Sequence, residues 1–359
     1  MDDLVKAVAS FRGRQVLLTG DSGFKGSWLA FWLAEAGADV WGYALPPEHD
    51  NDHFNLLGLR DRIHHQDGDI RDREKLGAFF KQAQPEFVFH LAAQALVRRS
   101  YRDPKETFDT NVGGSVNLLE CVREMPSVRA LVYITSDKCY RNKEWIWGYR
   151  ENDELGGHDP YSASKSAAEL VFSSYGDSFF RLRPDFGYAT VRAGNVIGGG
   201  DWSEDRIVPD CVRALRDGEP IVLRRPNSTR PWQHVLEPLG GYLILAAALV
   251  QDPARYSGAW NFGPGGEAAR SVLDLTRVIV NRWGSGEIDV QTSIDDLHEA
   301  GLLHLNCDKA RHMLRWYPRW GFERTVSETV GWYRAVLSGK AVSKVSGDQI
   351  KNYMEVAHD

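Results

Sequence analysis

Cysteine is scarce in this chain of 359 residues, with four (Cys121, Cys139, Cys211 and Cys307) far apart and forming no C-x-x-C pair. That spacing argues against a disulfide framework and against a cysteine-based zinc site, and it fits a reducing cytoplasm. Long apolar runs are missing as well. The longest, Tyr242 to Val250, is roughly half of the ~20 residues that a membrane span needs, and it reads as a buried helix. The opening stretch, MDDLVKAVASFRGRQ, has no apolar core of signal-peptide length, so a cytoplasmic location is expected. Charge of one sign is lacking too: 43 basic residues face 49 acidic ones, a net −6 with no long single-sign block. Such a balance argues against nucleic acid or an anionic membrane as the main partner. A phosphate-bearing ligand would have to be held by local basic residues and helix ends. There is no internal repeat or low-complexity segment, and no metal site is expected.

What is present is the composition of an ordinary globular protein, 43% hydrophobic and 26% charged. The length suits one large domain or two fused units. A chain of this size buries about three quarters of its unfolded surface and needs no staple. Over the first two thirds, short β-rich apolar runs (15–19, 39–44, 87–91, 131–135 and 188–192) alternate with helical patterns at 25–35, 73–82, 113–124 and 161–175. Strands separated by helix-length stretches imply βαβ units and a parallel sheet covered on both faces. Right-handed crossovers then give an α/β, doubly wound sheet. After Gly194 the texture changes to a Gly198-Gly199-Gly200 run and a stretch rich in proline and arginine, from Arg224 to Pro231. The expected organisation is a sheet domain over 1–193, with 233–265 weaving back into it. A smaller α/β substrate lobe takes 194–232 and 266–337, and 338–359 forms a polar tail with one short helix around 348–356.

The first strand runs into Gly20-Asp21-Ser22-Gly23-Phe24-Lys25-Gly26. Glycines at 20, 23 and 26 allow a tight turn in which backbone N–H groups approach a pyrophosphate at the positive end of the following helix. The same glycines would also serve a strand–helix turn with no ligand. Trp28, Phe31 and Trp32 follow Phe24 at helical spacing and read as core. Farther on, Asp69-Ile70 lies in a loop after an expected third strand, where a carboxylate suits either an adenine amino group or solvent. Leu91-Ala92-Ala93 ends another strand with small residues that let backbone lie close to a dinucleotide. One feature is missing. The end of the second strand, Gly42-Tyr43-Ala44-Leu45, has no acid to bind the ribose hydroxyls of NAD and no arginine for NADP. It leaves that choice open and implies looser cofactor binding.

Tyr161 and Lys165 stand four residues apart, on one helical face. Forming phenolate at neutral pH costs a free tyrosine about 4 kcal/mol. A neighbouring ammonium and an oxidised nicotinamide would offset much of that, letting the phenol take a hydroxyl proton while hydride leaves the same carbon. Ser136-Asp137-Lys138 ends the fifth strand, at the sheet edge where ligands of doubly wound folds sit. Ser136 would bond the hydroxyl being oxidised, and Asp137 and Lys138 bring an acid and a base. A turn with a surface ion pair would carry the same residues.

These motifs, with Gly23 to Trp28, Ile134 to Tyr140, Asp159-Pro160-Tyr161, Gly194 to Trp202, Arg230 to Val235 and Trp260 to Pro264, resemble the extended short-chain dehydrogenase/reductase sugar-nucleotide enzymes over nearly the whole chain. Within them the similarity is to the branch that dehydrates CDP-glucose. The resemblance implies a Rossmann-type sheet, NAD as a recycled cofactor and CDP-glucose as substrate. It also implies a homodimer or homotetramer, paired through helices such as 113–124 and 161–175. Tyr161 would take the C4 hydroxyl proton, Asp137 would protonate the hydroxyl leaving C6, and the C5 base would be Lys138, where related dehydratases have glutamate. Asn195 and Arg230 match positions that hold the diphosphate. His234 stands where tyrosine is usual. Arg206, His298 and Glu299 fall in segments like substrate-lobe loops, where exposed polar residues would look the same. Two rivals remain. A 4-epimerase needs Tyr161, Lys165 and NAD but no acid and base at 137 and 138. A non-catalytic dinucleotide sensor commonly loses the Tyr–Lys pair that is intact here.

Overall fold

A computed structural model describes residues 2–265, 269–291 and 302–356. Seven parallel strands form the main sheet: β1 (Gln15–Thr19), β2 (Asp39–Ala44), β3 (His64–Asp67), β4 (Phe87–His90), β5 (Ala130–Ile134), β6 (Gly187–Ala193) and the strand Gly258–Phe262. Their spatial order is Gly258–Phe262, β6, β5, β4, β1, β2, β3, with every pairing parallel. β4 and β5 are buried along their whole length, as strands covered by helices on both faces must be. This is the doubly wound sheet that the alternation implies. The order reverses between β1 and β4, so a crevice opens beyond their carboxyl ends.

Two apolar layers sandwich the sheet. One gathers Trp28, Phe31 and Trp32 from the helix Phe24–Glu35, called α2 after α1 (Asp3–Ala9), with the buried helix Leu236–Gln251. That last helix is the apolar run Tyr242 to Val250, and no helix among the described residues is long and apolar enough to cross a membrane. The other layer holds Leu76, Phe79 and Phe80 of the helix Arg73–Ala83 with Leu118, Val122 and Phe172. The helix expected from Gly113 begins at Ser115, after a wide turn over Asp109–Gly114. In that turn Gly114 lets Ile70 approach, since a Cβ there would lie 2.6 Å from the Ile70 Cδ1.

Beyond β6, apart from Gly258–Phe262, the described strands form two-stranded pairs. Val196–Ile197 joins Gln233–His234, Thr229–Pro231 joins Ala269–Ser271, and Ile221–Leu223 joins Ile288–Val290. The polar tail expected from 338 does carry a helix, and its described part is packed against the rest of the chain. A helix runs over Val342–Glu355, six residues earlier than anticipated, and buries Val342, Ser346, Gln349, Ile350 and Tyr353 along one face. Two of those five are polar, which hid the stripe from hydropathy. Ser346 bonds His53 Nε2 and Trp332 Nε1, each at 2.9 Å. Tyr353 packs edge-on to Trp32 and Trp320 and donates to Glu237 at 2.9 Å. Tyr353→Ala should therefore lower unfolding free energy by about 3–5 kcal/mol, as for other large core truncations. Urea unfolding measures this, and a loss below about 1 kcal/mol would show the helix to be peripheral.

Candidate active site

The helix Pro160–Ser178 starts cleanly. Pro160 sits in its first turn and the Asp159 carboxylate accepts the Ser162 N–H at 2.9 Å, a cap that fixes where the turn begins. Tyr161 and Lys165 follow one turn apart, both buried. The same helix face continues to Glu169, whose carboxylate is 4% exposed and fully engaged. Arg192 of β6 grips it through Nε and Nη2, both at 2.8 Å, while Thr190 of β6 donates at 2.9 Å and Thr135 after β5 donates as well. Asn111 donates to Ser164 at 2.9 Å, and Ser166 donates to the Cys139 carbonyl at 2.8 Å. Neighbours on both sides of Lys165 are thus tied to other elements.

Opposite, β5 ends in Ser136 and a short 3-10 turn over Asp137–Cys139. Ser136 Oγ accepts the Lys138 N–H at 3.2 Å and donates to Asp137 Oδ1 at 2.9 Å. The Ser136 hydroxyl also acts on the Tyr161 phenol. Phenol, hydroxyl and carboxyl share the wall of a cavity of about 1030 Å³, with Lys138 beside them. Burial raises the Asp137 pKa above the ordinary carboxyl value, against the pull of Lys138, Ser136 and Arg230, so this carboxyl tends to keep a proton that it can later give. Burial draws Lys165 down to about 7, with the Lys25 charge adding to it.

The phenol departs from expectation. Instead of being lowered by Lys165, Tyr161 is pushed up to about 12 by burial, which outweighs the Ser136 hydrogen bond; Asp137 adds to the rise and Arg206 opposes it. Lys165, itself drawn down by burial, is not among the groups that act most on the phenol. In the protein alone the phenol stays protonated.

The glycine turn meets the crevice at the order reversal. Gly20 has φ +79°, and a Cβ on it would lie 2.6 Å from the Ala92 nitrogen. A Cβ on Gly26 would be 1.9 Å from the Gly20 carbonyl oxygen. Gly23 caps α2 with no side chain over the first amides, which leaves that end shaped for an anion. Phe24 and Lys25, its first two residues, line the cavity. Leu91 and Ala93 flank Ala92, and Ile70 is buried against Gly114. Asp69 holds Arg71, which lowers its pKa. These residues fit a dinucleotide. Sequence reasoning overlooked Asp21. Its buried carboxylate lies 2.7 Å from His65 Nδ1, and His65 Nε2 lies 3.0 Å from Asp67. A Cβ on Gly42 would come within 2.1 Å of Asp21 Oδ2. Where the second strand lacks its acid, a carboxylate arrives from the turn instead, facing His65. The only hint was a glycine inside a strand, a mark of close approach.

On the substrate side, Asn195, Arg206 and Arg230 line the cavity. Arg206 is held by Asp201 at 2.8 Å. His234 does not line it. This histidine is fully buried, 4.8 Å from the Trp320 ring, and burial depresses its pKa to about 3. It is a neutral core residue, because the Gln233–His234 strand turns it toward Trp28 and Trp320. His298 and Glu299 lie outside the described residues. The far end of the cavity adds Arg213, Arg216, Arg224 and Arg225, which the arginine-rich stretch had announced only as a change of texture.

Comparison with known proteins gives a consistent picture. Residues 16–258 match the model of the NAD dependent epimerase/dehydratase family. The chain is 47% identical over 348 residues to CDP-glucose 4,6-dehydratase of Salmonella typhimurium, covering 96% of this chain and 97% of that one. It is 29% identical to dTDP-glucose 4,6-dehydratase of Streptomyces antibioticus over 74% of this chain and 75% of that one. Among solved structures, an epimerase from Methanothermobacter thermautotrophicus aligns with TM-score 0.80 at 23% identity, over 93% of this chain and 96% of that one. The dTDP-glucose 4,6-dehydratase of Bacillus anthracis in complex with NAD aligns with TM-score 0.75 at 22% identity, over 90% and 97%. These last two show the fold.

The Glu169 network generates a test of its own. Glu169→Ala leaves the Arg192 guanidinium buried and unpaired, so stability should fall by about 3–5 kcal/mol. Chemical denaturation reads the loss, and a change within error would mean that the pair does not anchor the helix.

Proposed function

The chain belongs to the NAD-dependent epimerase/dehydratase family, and from that premise we propose that it converts CDP-glucose to CDP-4-keto-6-deoxyglucose. The observation carrying this reading is a 47% identity, across essentially the full length of both chains, to a CDP-glucose 4,6-dehydratase. Bound NAD supplies a hydride acceptor for C4 and later the hydride donor for C6. The remaining steps fall to the chain. Ser136 and Tyr161 hold the C4 hydroxyl, and Tyr161 takes its proton. With the phenol up at about 12, that transfer must accompany hydride departure, or draw on the positive charge that an oxidised nicotinamide brings. The 4-ketone acidifies the C5 hydrogen, which Lys138 removes as a proton and gives back to C5 when hydride reaches C6. Asp137, raised by burial, protonates the hydroxyl leaving C6 as water. Asn195 and Arg230 take the diphosphate, Arg230 with a planar fork suited to phosphate oxygens, and Arg206 lines the same cavity with its charge acting on Tyr161.

This assignment divides the chain into a cofactor unit, 1–193 with 233–265, and a substrate unit, 194–232 with 266–337. The strand Gly258–Phe262 at the edge of the main sheet supports that division. We assign subunit pairing to the helices Ser115–Glu124 and Pro160–Ser178. Leu170, 61% exposed on the second of them, is an apolar side chain of the kind that subunit pairing covers.

The first test is a turnover panel with CDP-, dTDP-, GDP- and UDP-glucose and NAD. A 4-keto-6-deoxy product should form fastest from CDP-glucose, and CDP-galactose as sole product would replace dehydration with epimerisation. Asp137→Asn separates the steps. Loss of a general acid should cut kcat about 10²–10⁴-fold, while reduced nicotinamide still accumulates on mixing with CDP-glucose in stopped flow. Wild-type kcat in that variant would remove Asp137 from the mechanism. Tyr161→Phe should abolish both phases.

A further inference from the structure

Lys25 sits where a cation is costly. It is the second residue of α2, at the positive end of the helix dipole. It is half-buried, and burial draws its pKa down to about 8, with Arg206 adding and Asp137 opposing. The ammonium is still charged at neutral pH. Its side chain lines the same cavity wall as Ser136, Asp137 and Tyr161, and its charge acts on Lys165. Arg206 acts on both the phenol and Lys25, and Lys25 shares the phenol's cavity wall. Asp201 pairs with Arg206 at 2.8 Å, whereas the charge opposing Lys25 is that of Asp137, whose pKa burial raises.

Hydride can leave a carbon only for a nicotinamide lying against it, and that carbon bears the hydroxyl held by Tyr161. The ring is thus brought into this positive field. Oxidised nicotinamide carries one positive charge and reduced nicotinamide none, so a fixed cation nearby destabilises the first relative to the second. We propose that Lys25 is a redox-tuning residue, which biases the bound nicotinamide toward its reduced form and so favours oxidation of the sugar at C4. The proposal rests on the reading that this site binds NAD. In the balance of that step, C4 loses hydride to the ring, the hydroxyl proton goes to Tyr161, and the ring loses the positive charge that Lys25 opposes.

The test is direct binding, by calorimetry, of NAD, NADH and ADP-ribose to the wild-type chain and to Lys25→Met, Lys25→Gln and Lys25→Arg. The wild type should bind NADH more tightly than NAD. Either neutral variant should lower that preference about tenfold, the scale of one charge at several ångströms in a partly solvated site. Lys25→Arg should keep most of it. Should Met disturb folding, Gln carries the same comparison, with thermal melting as the check on both. An unchanged NADH-to-NAD ratio in the neutral variants overturns the proposal. An equal loss for NAD, NADH and ADP-ribose also overturns it, by making Lys25 a pyrophosphate ligand. Failure of the wild type to bind any of the three would instead sink the NAD reading itself.

Discussion

The site depends on a buried ion pair that touches no substrate. Glu169 and Arg192 face each other at 3–4% exposure, joined by two parallel hydrogen bonds. Taking two charges out of water costs several kcal/mol each, repaid only when geometry is good and the remaining lone pairs are filled. Here Thr135 and Thr190 donate to the Glu169 carboxylate, and Tyr140 accepts from Arg192 Nη1 at 2.7 Å. Each partner comes from a different part of the site's frame. Glu169 is two turns beyond Tyr161 on its helix, Thr135 precedes Ser136, and Arg192 precedes Asn195. The pair therefore sets the register of phenol against hydroxyl, carboxyl and substrate asparagine. An apolar replacement could match its stability but would fix no such register.

Burial then acts on the site in two directions at once. It raises Asp137 and Tyr161 and lowers Lys165 and Lys25, so each group is pushed toward its neutral form. For the acid role proposed for Asp137, this is the useful direction. For the base role proposed for Tyr161, it is the wrong one. On that reading the protein alone leaves Tyr161 unready, and a positive nicotinamide beside it would correct the imbalance. A chemistry that borrows hydride and returns it would gain from this arrangement, because the phenol would be most acidic only beside the oxidised ring.

Much of this was legible from residue order. Alternating runs such as 15–19 and 87–91 mark a parallel sheet because both faces of such strands are buried and the crossovers are helical. The glycine turn and the Tyr–Lys spacing were visible because they depend on local geometry. What stayed hidden depends on contacts far apart in sequence. Glu169 and Arg192 look like surface charges until β6 lies beside β5. His234 looks like a ligand until Trp320 closes over it. The helix Val342–Glu355 reads as polar because Ser346 and Gln349 hold buried places, satisfied by Trp332, His53 and the Glu328 carbonyl.

Asp21 shows how a missing residue can be balanced elsewhere. An acid at the end of the second strand would point at the ribose, whereas Asp21 lies under the glycine turn, paired with His65 and backed by Asp67 and Arg60. A negative charge there would oppose a pyrophosphate arriving at the end of α2. Burial raises the Asp21 pKa, and hydrogen bonds from Asp21 and Asp67 raise that of His65 against its own burial. Both shifts favour holding a proton within the couple beneath the glycine turn. The turn is thereby braced by a carboxylate that belongs to the turn itself. With no acid at the end of the second strand, a dinucleotide here would rest on backbone amides and the helix end.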